Sequence, residues 1–382
     1  MARLLAVGIT LVFAGLVPAA EVVVKAAKVI TGAGAPLVPG AVRVKDGKIV
    51  EVAASIPVPA GAKEIDLGSG VLMPGLVDAF SMIGIEGGAA ESTLEVTPSF
   101  RVLDGVDWSS RDFRQALADG ITTVALVPGT DNVVSGLSCV VKTSGPRPTR
   151  IVKPDHAVVI TVSSDPASGN SARNRPDSIY TRQPTNRMGV IWILRNELGK
   201  AQLGDAKSAA EIKAALAGQR PVVCISRSES DIAAALALRK EFPFALTLAG
   251  GQEAYRLKSE LAAAKAPVLL APTPTAAAGG PEGTELIWNT AGVLHEAGVP
   301  IALTGGRLLE QAQWAVRYGL PADAALAAIT AVPAKLLGLE SRLGTIAPGR
   351  DADLIALTGD PFDLKSTIRW TMIDGVIRAE EP

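Results

Sequence analysis

The sequence predicts an α/β protein: a (β/α)8 TIM barrel with a small composite β-sandwich domain formed by both chain ends. Three observations lead there. The 382 residues suffice for a barrel of about 250 residues and a smaller companion. The middle of the chain alternates short apolar strands with helical patterns, while both ends read as strands and turns. A hydrophobic content of 48% with only 4% aromatics requires a core of Val, Ile, Leu and Ala, as in a parallel sheet buried on both faces.

In chain order, the first twenty residues stand apart. Arg3 precedes an uncharged apolar run over 4–17, and Pro18, Ala19 and Ala20 lead to Glu21. This reads as a signal peptide over 1–20, cut near Ala19 or Ala20, which implies export to a periplasm or medium. The other reading is an uncleaved anchor. Strands follow at 22–24, 42–45, 48–52 and 64–67, with Asp46–Gly47 as a hairpin turn. Similar runs at 353–357 and 371–377, turning at Asp374–Gly375, place 21–72 and 344–382 in one composite domain. Between them, 73–343 forms the barrel. Strands are expected at 75–81, 122–127, 157–162, 222–226, 245–248, 267–271 and 300–304, each followed by a helical pattern. That makes seven. The eighth lies between Leu137 and Val141 or in the irregular stretch 165–185, which reads as a long loop at the barrel mouth.

Composition narrows the partners. The net charge is −1 with no block of like charges, so nucleic acid and an anionic membrane surface are not indicated. After signal cleavage no segment is long and apolar enough for a membrane. Cys139 and Cys224 are far apart in sequence and read as two isolated buried thiols, since a large domain needs no disulfide.

Several segments resemble one family. Gly70-Val-Leu-Met-Pro-Gly-Leu-Val-Asp-Ala79 resembles the approach to the first barrel strand of amidohydrolases related to imidazolonepropionase, and Gly120-Ile-Thr-Thr-Val124 their second strand. Leu343-Gly-Thr-Ile-Ala-Pro-Gly-Arg-Asp-Ala-Asp-Leu354 resembles the return into the composite domain. The loop over 128–136 and Asn186-Arg-Met-Gly189 are similar to features of exported members.

The resemblance implies hydrolysis of non-peptide or cyclic C–N bonds by one or two metal ions. These are held by a His-x-His on the first strand, further His residues and an Asp on the last strand. Bound metal lowers the pKa of water towards about 7 and polarises the scissile carbonyl. This chain departs from that pattern. Phe80, Ser81 and Met82 stand where His-x-His is expected. Ile225 and Arg227 occupy the third-ligand strand, Gly250 the next, and Gly305 or Gly306 the Asp position. The chain has only two histidines. His156 precedes a strand and His295 lies in a helical run, so both read as structural.

The expectation is therefore no metal and no cofactor. Asp78, Asp165 and Glu229 are the candidate catalytic carboxylates, and Ser81, Arg101, Ser226 and Arg307 the candidate ligand-binding groups at the mouth. Function is expected to be that of an inactive binding or partner protein. It would hold a small molecule at the barrel mouth, or join a homo- or hetero-oligomer with an active family member. The alternative is an active hydrolase with a metal-free or rearranged site. Phe80 and Met82 are expected to pack on Ile225 as a small apolar floor.

Overall fold

The computed structural model describes residues 21–85, 90–91, 94–168, 170, 183–272 and 287–380. The chain opens with strands β1 (Glu21–Ala26), β2 (Lys28–Val29), β3 (Gly40–Lys45), β4 (Lys48–Ala53), β5 (Lys63–Asp66) and β6 (Val71–Pro74). Four of them form a sheet in the order β4-β3-β1-β5. Between β3 and β4, Asp46 and Gly47 both take positive φ, 53° and 75°, the turn that matches strand twist and favours Asp-Gly.

The central strands are β7 (Leu76–Ser81), β8 (Ile121–Leu126), β9 (Val134–Leu137), β10 (Cys139–Lys142), β11 (Ile151–Lys153), β12 (Val158–Thr161), β13 (Val222–Ser226), β14 (Leu246–Gly250), β15 (Val268–Leu270) and β16 (Ile301–Leu303). They form two sheets, β11-β10-β8-β7 and β16-β15-β14-β13-β12-β9. From β12 to β16 every neighbouring pair is parallel, as is β7 with β8. One core takes Val77 and Ala79 of β7, Ala125 of β8, Val140 of β10, Val159 of β12, Ile225 of β13, Ala249 of β14, Leu269 of β15 and Ala302 of β16. Strands of both sheets thus contribute to one buried cluster. A second core packs their outer faces under helices such as Arg111–Ala118, Arg187–Gln202 and Glu229–Glu241.

The expected strict strand–helix repeat fails at one place. The run from Val134 to Lys142 is antiparallel to both neighbours: its first half pairs with β12 and its second with β8. It fills the slot foreseen between Leu137 and Val141. A chain that turns straight back from β8 without a crossover helix can only enter antiparallel.

The return consists of β17 (Leu354–Leu357), β18 (Ile368–Ile373) and β19 (Val376–Glu380), which extend a sheet β19-β18-β17-β6-β2. Strands from both chain ends therefore share this sheet, and it shares a core with the first one through Val24, Val42, Leu72, Leu354 and Trp370. Asp374 and Gly375 again take positive φ between β18 and β19. Both cysteines are free and buried. No helix among the described residues is long and apolar enough to cross a membrane.

The returning chain is tied to the central sheets by a buried lysine. Lys142 is 1% exposed. Its Nζ lies 2.5 Å from Asp353, 3.2 Å from Asp351 and 3.5 Å from Asp374. Burial opposes its charge, but the aspartates outweigh that and hold its pKa above the ordinary lysine value. Burial also acts against Asp351, yet Arg342, Lys142 and Lys48 together draw its pKa down to about 2.

Replacing Lys142 by Met should therefore lower the unfolding free energy by about 3–5 kcal/mol, because it strands buried carboxylates. Urea denaturation checks this, and a loss below about 1 kcal/mol would show that the aspartates find other partners. The depressed pKa of Asp351 makes its contribution complete above about pH 4, to be lost as pH falls towards 2. Asp351→Asn should flatten the acid limb of a stability–pH curve over that window.

Candidate functional site

Parallel strands bring their C-terminal ends to one side, where loops can converge. There the chain encloses a cavity of about 450 Å³. Its wall includes Asp78, Phe80, Ser81 and Met82 from β7 and its exit, Ile225 and Arg227 from the end of β13, and Ala249 and Gly250 from β14. Pro272, Thr304, Gly305 and Gly306 close it on the side of β15 and β16.

Asp78 is 1% exposed and joins the first central strand to the last. The Phe80 N–H donates to its Oδ1 at 3.1 Å, and the Gly305 and Gly306 N–H groups both donate to its Oδ2 at 3.1 Å. Burial raises its pKa to about 6, against the pull of those three backbone donors. The carboxyl thus serves first as a clamp between β7 and the loop after β16.

Arg227 is held at both ends. Its backbone N–H donates to Asp231, which also caps the helix Glu229–Glu241 together with Ser228. Its guanidinium meets Asp165 through two hydrogen bonds of 2.6 Å each, the paired geometry that arginine makes best. Gly250 has φ +105°, and a Cβ there would come within 2.9 Å of the Ser226 carbonyl and 3.1 Å of Gln252 Oε1. The absence of a side chain at 250 is what admits those two groups.

The structure gathers Asp78, Phe80, Ser81, Met82, Ile225, Arg227, Gly250, Gly305 and Gly306 around one cavity. The expected floor is only partly formed. Phe80 packs on the inner core that contains Ile225, whereas Met82 is 48% exposed and stands at the rim. Other candidates lie elsewhere. Asp165 lines no part of the cavity and is taken up by Arg227. Glu229 is exposed, 3.9 Å from Arg256, because it begins a helix on the outer face. Ser226 is fully buried, its hydroxyl turned to the Cys224 carbonyl at 3.4 Å. Arg101 is not at the mouth: it donates to Asp155 at 2.7 Å, just before β12 and so at the opposite end of the strands. Arg307 is exposed beside Glu310 and lines a separate crevice. His156, also before β12, has its pKa lowered to about 4 by burial and by Lys153 and Arg220. His295 lies exposed on the helix Thr290–Glu296. Asp112, Thr130 and Gln252 also line the cavity, and no motif in the sequence singles them out.

Comparison with known proteins gives a consistent picture. The model of the amidohydrolase family matches residues 283–378. The crystal structure of an amidohydrolase from Thermotoga maritima MSB8 is 31% identical, with a TM-score of 0.84 over 94% of this chain and 100% of that one. Amidohydrolase tasK of Hapsidospora irregularis is 25% identical over 90% of this chain. The chain spans only 40% of that relative's length. A prolidase crystallised with N-methylphosphonate-L-proline is 17% identical with a TM-score of 0.61, over 94% of this chain and 100% of that one, a likeness of fold.

Asp78→Asn turns an amide NH2 towards at least one of the three backbone donors and should cost about 1–3 kcal/mol. Because the folded pKa of Asp78 is raised, its contribution is fully present below about pH 4 and is lost as pH rises through about 6. The stability difference between wild type and variant should therefore narrow from pH 4 to pH 7 in parallel urea titrations. A constant difference would show that the carboxyl stays ionised throughout.

Proposed function

The chain belongs to the amidohydrolase family, and from that premise we propose that it binds a small molecule in the Asp78 cavity without metal-dependent hydrolysis. One observation carries this reading. At the positions where the family resemblance places ligands, the cavity wall carries Phe80, Met82, Ile225, Arg227, Gly250 and Gly306. A zinc-like ion wants imidazole and carboxylate, with about three protein ligands. The chain has two imidazoles in all; His156 lies at the far end of β12 and His295 on an outer helix. Among the described residues, no group of three or more His, Cys, Asp or Glu side chains is placed to hold a metal ion. The donors among the described residues do not fit such an ion.

A second reading has one observation in its favour: Asp78, with its pKa raised to about 6, could exchange a proton near neutrality. A single general acid or base contributes roughly 10²–10⁴-fold, short of the roughly 10⁶-fold where enzymatic acceleration begins. Binding therefore takes precedence over metal-free hydrolysis.

The wider reading comprises a closed eight-position barrel over 73–343 and a sandwich composed of 21–72 and 344–382. The clamp from Asp78 to Gly305 and Gly306 supports closure between β7 and β16. Relationship to the imidazolonepropionase-like branch, a leader over 1–20 and export belong to the same proposal. So does assembly with itself or with a metal-bearing relative.

The test is metal content of the purified protein after loading with zinc and manganese and exhaustive dialysis. Substoichiometric metal is expected for every ion. About one ion per chain, retained together with hydrolysis of an amide or lactam panel, would overturn the proposal.

A further inference from the structure

Resting on the binding role above, we propose that the cavity takes an uncharged, largely apolar molecule carrying one N–H or O–H donor, received by Gln252 Oε1. Its charges point to a neutral occupant. Arg227 is the one cation among the described lining residues, and both terminal nitrogens of its guanidinium are engaged by Asp165. A ligand carboxylate or phosphate would instead approach Asp78 and Asp112, and burying such a charge without a partner is costly. A cation has no better seat. Asp78 is sunk in the wall and accepts three backbone N–H groups. Asp112 accepts the Gly84 N–H at 3.4 Å. Most of the remaining wall, including Phe80, Met82, Ile225 and Pro272, is apolar.

Gln252 supplies the polar handle. It lies in the wall shared by this cavity and a smaller one that reaches Trp288. Its Oε1 is buried and has no hydrogen-bond partner among the described residues. The bare Gly250 gives it room, since a Cβ there would stand 3.1 Å away. A buried acceptor without a donor is unfavourable. The terminal torsion of a glutamine side chain is broad and soft, so a small rotation turns Oε1 into the cavity. A ligand donor at that point restores the missing bond.

Four probes separate the possibilities by isothermal titration calorimetry on the full chain: indole, 1-methylindole, indole-3-acetate and tryptamine. Indole should bind roughly three- to tenfold more tightly than 1-methylindole, the worth of one hydrogen bond. It should also outbind both charged analogues. Gln252→Leu should abolish the preference for indole over 1-methylindole while leaving 1-methylindole affinity in place, and Gln252→Glu, which keeps an acceptor, should retain the preference. Equal affinity of the wild type for indole and 1-methylindole would overturn the role of Gln252. Tighter binding of indole-3-acetate or tryptamine would overturn the neutral class. Either result would leave the cavity as a binding site. Failure of all four probes to bind would overturn the binding role itself.

Discussion

The architecture depends on the charge of Lys142. A lysine this deeply buried must be paired, since an isolated ammonium in a low-dielectric interior is prohibitively costly. Its partners all come from the returning chain: Asp351, Asp353 and Asp374. Asp351 in turn holds Lys48 from the first sheet and Arg342 from just before the return. One cluster thus joins an N-terminal hairpin, a central strand and the C-terminal strands. The two Asp-Gly turns meet at the same place, where Gly47 lies against the backbone of Asp374. The repeated aspartates of Arg350-Asp-Ala-Asp353 acquire a physical purpose: they neutralise a cation from more than two hundred residues earlier.

A second buried charge organises the other end. Asp78 receives backbone donors from its own strand exit and from Gly305 and Gly306, and so fixes the last loop against the first strand. Glycine at 305 and 306 places two N–H groups within reach of one oxygen. Glycine at 250 opens space for Gln252 and for the Ser226 carbonyl. Residues without side chains shape this cavity by leaving volume and exposing backbone; of the ionisable groups in its wall, Arg227 is paired with Asp165, while Asp78 and Asp112 accept backbone N–H groups.

Family membership and local chemistry answer different questions. A shared fold hosts many reactions, and function follows from the groups placed at its site. Here the groups are an arginine neutralised by Asp165, a carboxyl clamped by amides and a glutamine oxygen without a partner among the described residues. On the proposal above, that combination serves recognition of a neutral molecule rather than activation of water.

The sequence by itself determined the α/β class, both Asp-Gly hairpins and the β-rich character of the two ends. Period-two alternation, turn chemistry and short apolar runs are local signals that survive without long-range information. It also identified the residues at the strand ends, because position along a strand fixes which side of the sheet a loop joins. What only the tertiary structure decided is who meets whom. The strand from Val134 to Lys142 runs antiparallel because of what lies on either side of it, which no local period reveals. Arg101 and Arg227 look alike as charged loop residues, yet one pairs with Asp155 at the far end and the other with Asp165 beside the cavity. Gln252 carries no motif; its significance arises from burial beside a glycine, a property of three-dimensional packing alone.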